Sequence, residues 1–308
     1  MKPSLQVELC GVELPNPVIL ASGVLGATGA GIARALRSGA GAATFKSVGL
    51  TPRKGHPGPV IVPFESGWLN AVGLSNPGID AFVEEYKAAR HGADGALSIS
   101  VFSHNAIEYK ELVEKADDLA PEFIELNLSC PNVSDEFGRP FALDVEATKA
   151  AVSAGRKATK RPLLAKITAT APNIVSIGKA AIEAGADVLV TTNTLGPGMV
   201  IDVRRRCPVL ANTVGGVSGS AIRPIALRSV WQLAQLGCPI VAVGGVSTGE
   251  HVAQMMMAGA TAVQVGTCLV DEGFFGISRI VEEFSSFLQE EKFEAATEII
   301  GLARRSKE

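Results

Sequence analysis

Eight short apolar runs in this chain of 308 residues end in side chains or glycines suited to chemistry: Ser22, Lys46, Ser100, Asn127, Lys166, Asn193, Gly244–Gly245 and Gly266–Thr267. A lysine at the end of an apolar run is either a snorkelling rim residue or a fixed cation for an electron-rich ring or a phosphate. Asparagines tie loops together, but each also offers the donor and the acceptor that read an imide or amide ligand. Glycines let backbone N–H groups approach an anion that a side chain would hold away. One polar run-end carries little weight. Six on one face are hard to ascribe to folding alone, because desolvated polar groups destabilise unless they are paired.

Just beyond the fourth run, NLSCPN (127–132) sets Cys130 between Ser129 and Pro131–Asn132. A thiol whose pKa is lowered can act as a general base. Cys10, Cys207, Cys238 and Cys268 are scattered and read as inert small hydrophobes. With no CxxC pair, neither a disulfide framework nor a metal site is expected. His56, His91, His104 and His251 fall in loop or helix contexts and read as surface residues. A cysteine base is therefore favoured over a cysteine nucleophile paired with histidine.

The elements that must position these groups are repeats of a small-residue turn followed by a β-rich run. They occur at 38–47, 91–100, 183–193 and 257–267, with variants at 17–22, 123–130, 162–167 and 238–245. The runs do not alternate, as befits parallel strands covered on both faces. Between them, stretches such as 79–90, 145–160 and 173–185 space apolar residues three and four apart, as helices do. Eight such units in about 300 residues predict an α/β fold, a (β/α)8 TIM barrel, with the catalytic face at the C-terminal strand ends. An open doubly wound sheet is the runner-up, although ASGVLGATGAG only loosely approximates GxGxxG. Residues 48–78 and 194–220, rich in Gly and Pro, follow strands and are expected over the barrel top as lids or substrate loops. No linker is visible, so residues 1–308 are expected to form a single domain.

The net charge of −3 favours neither nucleic acid nor an anionic membrane as a partner. The first twenty residues hold no apolar run long enough for a signal peptide or a membrane span, and cytoplasmic residence is expected. Any metal cluster that carries electrons onward must belong to another chain.

The motifs FKSVG (45–49), NAVGLSNPG (70–78), NLSCPN (127–132), Lys166, TTNT (191–194), GGVSG (215–219), GGVSTGEH (244–251) and VGT (265–267), in that order, resemble class 1 dihydroorotate dehydrogenases over nearly the whole chain. That family comprises cytosolic FMN enzymes of pyrimidine biosynthesis. The resemblance implies that Ala21, Ser22, Lys46, Ser47, Ser100, Asn127, Lys166 and Val190 line the flavin ring and ribityl chain. Gly219, Gly244, Gly245, Gly266 and Thr267 then hold the ribityl and phosphate end. The orotate pocket would use Lys46, Asn70, Gly73, Leu74, Asn127, Asn132, Asn193 and Thr194. Cys130 would remove the C5 proton of (S)-dihydroorotate while hydride passes from C6 to flavin N5. Membrane-bound class 2 enzymes, with a serine base and an N-terminal helical extension, resemble the chain less.

Within class 1, residues 195–219 resemble the B-type, whose catalytic chain pairs with an FAD and iron–sulfur subunit and passes electrons to NAD. Residues 133–144 (VSDEFGRPFALD) depart from the glycine-rich loop of that type, so a dimeric A-type using fumarate, or a free-standing variant with another acceptor, stays open. A homodimer is expected. The nearest enzyme alternative is a dihydropyrimidine dehydrogenase-like flavin domain acting on uracil or thymine. Lys46 favours orotate, whose carboxylate needs a cationic pocket. A tRNA dihydrouridine synthase would call for a basic surface or an RNA-binding domain. From a different class, a non-catalytic barrel could bind a phosphorylated ligand through the same glycines.

Overall fold

The computed structural model of the chain describes residues 2–129 and 140–305. Eight parallel strands close into a barrel: β1 (Val18–Leu20), β2 (Ala42–Thr44), β3 (Ala96–Val101), β4 (Phe123–Asn127), β5 (Leu163–Ile167), β6 (Val188–Thr191), β7 (Ile240–Val243) and β8 (Ala262–Val265). They follow one another round the barrel in chain order, and β8 closes on β1 with Val263 opposite Val18. Each strand is followed by a helix: α1 (Gly29–Arg37), α2 (Ile79–Gly92), α3 (Ala106–Asp117), α4 (Val145–Ala158), α5 (Ile174–Glu183), α6 (Arg223–Leu233), α7 (Gly249–Met257) and α8 (Phe275–Glu290).

The strands carry apolar runs because both of their faces are covered. All six residues of β3 are buried, for example. The helices bury one stripe against them, as α3 does with Tyr109, Leu112, Val113 and Ala116 at helical spacing. Helix starts are set by short polar caps. Thr28, Asn105, Asp144, Asn173 and Thr248 each accept a hydrogen bond from a backbone N–H of the first turn. These caps end the loops that follow the strands, so they also pin the face that carries the polar strand ends.

An antiparallel hairpin (Val7–Leu9 with Val12–Leu14) precedes the barrel, with Leu9 and Leu14 fully buried. Its turn places Cys10 Sγ 4.0 Å from the carbonyl of Asp187, just before β6, so the hairpin lies across the N-terminal mouth. Nothing in the sequence reading anticipated this plug.

The two Gly- and Pro-rich insertions lie over the opposite mouth, and they fold together. Residues 48–78 supply strands Ile61–Phe64 and Gly67–Asn70, and residues 194–220 supply Leu195–Gly198 and Gly215–Ser218. The four form one antiparallel sheet in which Gly216, Val217 and Ser218 face Asn70, Leu69 and Trp68. A small core of Val62, Leu69, Ala71 and Leu210 holds this cap together. Among the described residues, no helix is long and apolar enough to cross a membrane.

Candidate active site

Between the cap sheet and the C-terminal strand ends lies a cavity of about 790 Å³, within the range of small-ligand sites. Most of the candidates read from the sequence meet on its wall. Ala21, Ser22, Lys46, Ser47, Asn127, Lys166, Asn193, Thr194, Gly244, Gly245, Gly266 and Thr267 reach it from the barrel, and Asn70, Gly73, Leu74 and Gly219 from the loops and cap. Ser100 and Val190 do not line it. Both are fully buried, Val190 inside β6 between Lys166 and Val241. Cys130 and Asn132 lie outside the described residues.

The polar strand ends form one hydrogen-bonded system. Asn193 Nδ2 donates to Asn127 Oδ1 (3.3 Å) and to Ser129 Oγ (3.1 Å). Asn127 Nδ2 donates to Ser47 Oγ (3.1 Å), Ser47 and Ser100 share a bond of 2.9 Å, and Ser100 Oγ donates to Glu125 Oε1 (3.1 Å). From the other side, Lys166 Nζ donates to Ser22 Oγ (3.1 Å) and to Gln264 Oε1 (3.2 Å). Ser22 Oγ and Gln264 Nε2 in turn donate to Glu125, at 3.1 and 2.9 Å. Lys166 Nζ lies 3.5 Å from Glu125 Oε1, with the two side chains 5% and 0% exposed. That pairing is why two charged groups can sit inside the barrel, where an unpaired one would be strongly destabilising.

Glu125 and Gln264 were missed in the sequence, although a signal was there. Glu125 lies two residues before Asn127, and Gln264 two before Gly266. Side chains two apart on a strand face the same way, so both had to point into the barrel beneath the site.

The loop NAVGLSNPG is held in an unusual conformation. Gly73 has φ 71° and Leu74 φ 57°, the latter in the left-handed region that a branched side chain rarely adopts. Arg53 Nε donates to the carbonyl of Gly73 (2.7 Å) and Asn76 Nδ2 to that of Leu74 (2.8 Å). Asn76 Oδ1 also accepts from Gly49 N and Gly78 N. Arg53 and Asn76 escaped the sequence reading because they act on the backbone of the loop rather than on the cavity.

Glycines on the same cavity wall form a cradle. Gly245 has φ 73°, and a Cβ there would stand 2.6 Å from Arg223 Cβ and 2.8 Å from the Gly219 carbonyl. A Cβ on Gly266 would meet only Ala21 Cβ, at 3.4 Å, because the space beyond is the cavity. The N–H groups of Gly245, Val246, Gly266 and Thr267 find no acceptor among the described residues. Unengaged backbone donors on a cavity wall suit a phosphate.

The thiol of Cys268 also lines the cavity, but burial above all pushes its pKa up to about 12. Burial likewise raises Cys10 to about 11 and Cys238 above its ordinary value. These three stay protonated near neutrality, in keeping with the inert role read for them.

His91 and His104 are exposed, as expected, but His56 and His251 are half-buried. His56 packs under the Gly73 loop, with Nδ1 3.1 Å from the carbonyl of Ala71. His251 Nδ1 lies within 3.1 Å of Arg223 Nη1 and 3.3 Å of Ser247 N, both donors, which leaves its proton on Nε2. Burial first, and the Arg223 charge next, lower its pKa. The unfolded chain therefore takes up this proton more readily than the fold, and stability should fall as pH drops below about 6.5. His251→Asn should flatten that part of the melting-temperature profile. An unchanged slope would assign the pH dependence to other groups.

A closed parallel barrel whose polar groups converge at the C-terminal mouth, under a cap built from two loop insertions, defines a (β/α)8 barrel enzyme. The chain belongs to the dihydroorotate dehydrogenase family, whose model matches residues 4–288. It is 40% identical over 303 residues to the dihydroorotate dehydrogenase B (NAD(+)) catalytic subunit of Methanocaldococcus jannaschii, covering 97% of this chain and 98% of the relative. It is 41% identical over 305 residues to the catalytic subunit of the same name from Geotalea uraniireducens, covering 97% and 98%. Within the family it stands with these B-type catalytic subunits. The crystal structure of the Eimeria tenella enzyme in complex with ferulenol superposes with a TM-score of 0.82 over 98% of this chain and 89% of that one, at 21% identity, which speaks for the fold.

Proposed function

We propose that the chain oxidises (S)-dihydroorotate to orotate in de novo pyrimidine biosynthesis, with FMN bound in the cavity at the barrel mouth. One observation carries this reading: a single cavity is lined both by a glycine cradle and by a lysine and amide array. The donor set fits FMN. The N–H groups of Gly245, Val246, Gly266 and Thr267 suit its phosphate, with Gly219 and Gly244 giving close approach. Ala21, Ser22, Lys46, Ser47, Asn127 and Lys166 suit its ring and ribityl chain, and Ser100 and Val190 support them from beneath. When bound, FMN supplies the acceptor for the hydride that leaves C6.

The chain's own residues do the rest. Lys46 faces the substrate carboxylate, and Asn70, Asn127, Asn132, Asn193 and Thr194 satisfy the pyrimidine edge, with Gly73 and Leu74 shaping its wall. Cys130 accepts the proton from C5, so the C5–C6 double bond forms as proton and hydride depart. Substrate held in near-attack geometry under the cap meets its acceptor with little further ordering. Because the amides are already oriented by one another, an analogue lacking the imide would leave donors unmatched. The name "catalytic subunit" borne by the relatives supports an electron-transfer partner, read here as an FAD and iron–sulfur chain that passes electrons to NAD. Residues 1–308 are read as one cytoplasmic FMN-binding domain that forms a homodimer.

The test is the absorption spectrum. The purified protein should show a flavin band that dihydroorotate bleaches without added acceptor, and dihydrouracil should bleach it far more slowly. A colourless protein that takes up no FMN would point instead to a phospholigand-binding barrel. Gly266→Val probes the cradle itself. The fold has room for the new side chain only by filling the cavity, so the FMN-free protein should melt as the parent does while FMN affinity falls about tenfold or more. Equal FMN affinity in titration would move the phosphate elsewhere.

A further inference from the structure

The hydrogen bonds beneath the cavity have a common direction. Starting from Asn193, donation runs through Asn127, Ser47 and Ser100 to Glu125 Oε1. Starting from Lys166, it runs through Ser22 to Oε1 and through Gln264 to Oε2. A carboxylate only accepts, so it can end all three chains. Its charge therefore fixes which way each amide points. Asn127 must turn Nδ2 toward Ser47, which leaves Oδ1 for Asn193 and for the N–H of Ser129. Glu125 is fully buried and does not line the cavity, so it acts on a ligand only through these neighbours.

We propose that Glu125 is a positioning residue with two effects. Gln264 and Ser22 hold it against Lys166, so that it fixes the ammonium at the cavity wall and offsets part of its positive charge. Through Ser100 and Ser47 it orients the Asn127 and Asn193 amides. The charge beneath the flavin is thus a balanced pair rather than a bare cation, and the balance sets how far the site favours reduced over oxidised FMN. This rests on FMN occupying the cavity, as proposed above.

The test compares holoenzymes whose carboxylate has been removed, alone or together with its ion-pair partner, or moved. Glu125→Gln leaves Lys166 uncompensated, so the preference for reduced over oxidised FMN should rise about tenfold, an upward shift of about 30 mV for a two-electron couple. Lys166→Met removes the ammonium and leaves the carboxylate, so the potential should shift downward, and adding Glu125→Gln to it should bring the potential back up. The exchange Glu125→Gln with Gln264→Glu keeps the charge and should return the potential toward the parent value. Because the amide chain loses its terminal acceptor charge in Glu125→Gln, KM for dihydroorotate should rise as well. A residue that merely fills space would not shift the potential upward in both the parent and the Lys166→Met background. If Glu125→Gln folds poorly, the upward shift from Lys166→Met to the double variant decides alone. A parent protein that binds FMN, with variants at unchanged potential, overturns the role of Glu125. A parent that binds no FMN overturns the underlying function instead.

Discussion

Cys130→Ala should keep its flavin and lose about a hundredfold or more of the rate at which dihydroorotate bleaches it, the usual consequence of removing a general base. The expectation rests on the other cysteines and histidines near the cavity among the described residues, none of which can take over. Among the described residues, the thiol that lines the cavity is that of Cys268, which burial holds near pKa 12, so it takes no proton from C5 near neutral pH. His56 and His251 are engaged elsewhere, with the carbonyl of Ala71 and with Arg223 and Ser247. Ser129, which precedes Cys130, is anchored at the site by Asn193 and is 1% exposed. Stopped-flow reduction under anaerobic conditions separates this step from reoxidation. FMN content should be unchanged, because the cradle is built from other segments of the chain. Bleaching at the parent rate would remove Cys130 from the chemistry.

The second large effect concerns stability. Lys166→Met conserves length and apolar volume but leaves Glu125, with no exposed surface, without its ion-pair partner. Breaking a buried pair in this way costs about 3–5 kcal/mol, because the surviving charge stays desolvated. Three neutral donors, from Ser22, Ser100 and Gln264, still reach the carboxylate and place the expected loss toward the lower end. Adding Glu125→Gln should recover part of the loss, since no charge then remains buried. The measurement is urea unfolding of the FMN-free proteins, because a ligand bound only to the folded state adds its own stabilisation. An unchanged midpoint in Lys166→Met would mean that the pair contributes nothing to the fold. A double variant less stable than Lys166→Met would mean that Glu125 is held by the neutral donors alone.

How much of this was legible in the sequence follows from the range of each interaction. Strand and helix periodicity is local, so the eight βα units and the closed barrel could be read directly, as could the polar strand ends from Ser22 to Thr267. The N-terminal hairpin escaped notice because each of its strands reads Val-Glu-Leu with an exposed glutamate in the middle, so neither gives the apolar run that marked the barrel strands.

Chain order alone determined that Lys46, Asn127, Lys166, Asn193 and the glycines after β7 and β8 share one mouth, because every parallel strand of a barrel delivers its C-terminal end to the same side. Only the folded chain decided that residues 61–70 and 195–218 pair as one cap, and that side chains from β3, β5 and β8 meet on Glu125. Gln264 and Glu125, for example, are 139 residues apart, and no local pattern encodes which distant partner a buried polar group will find.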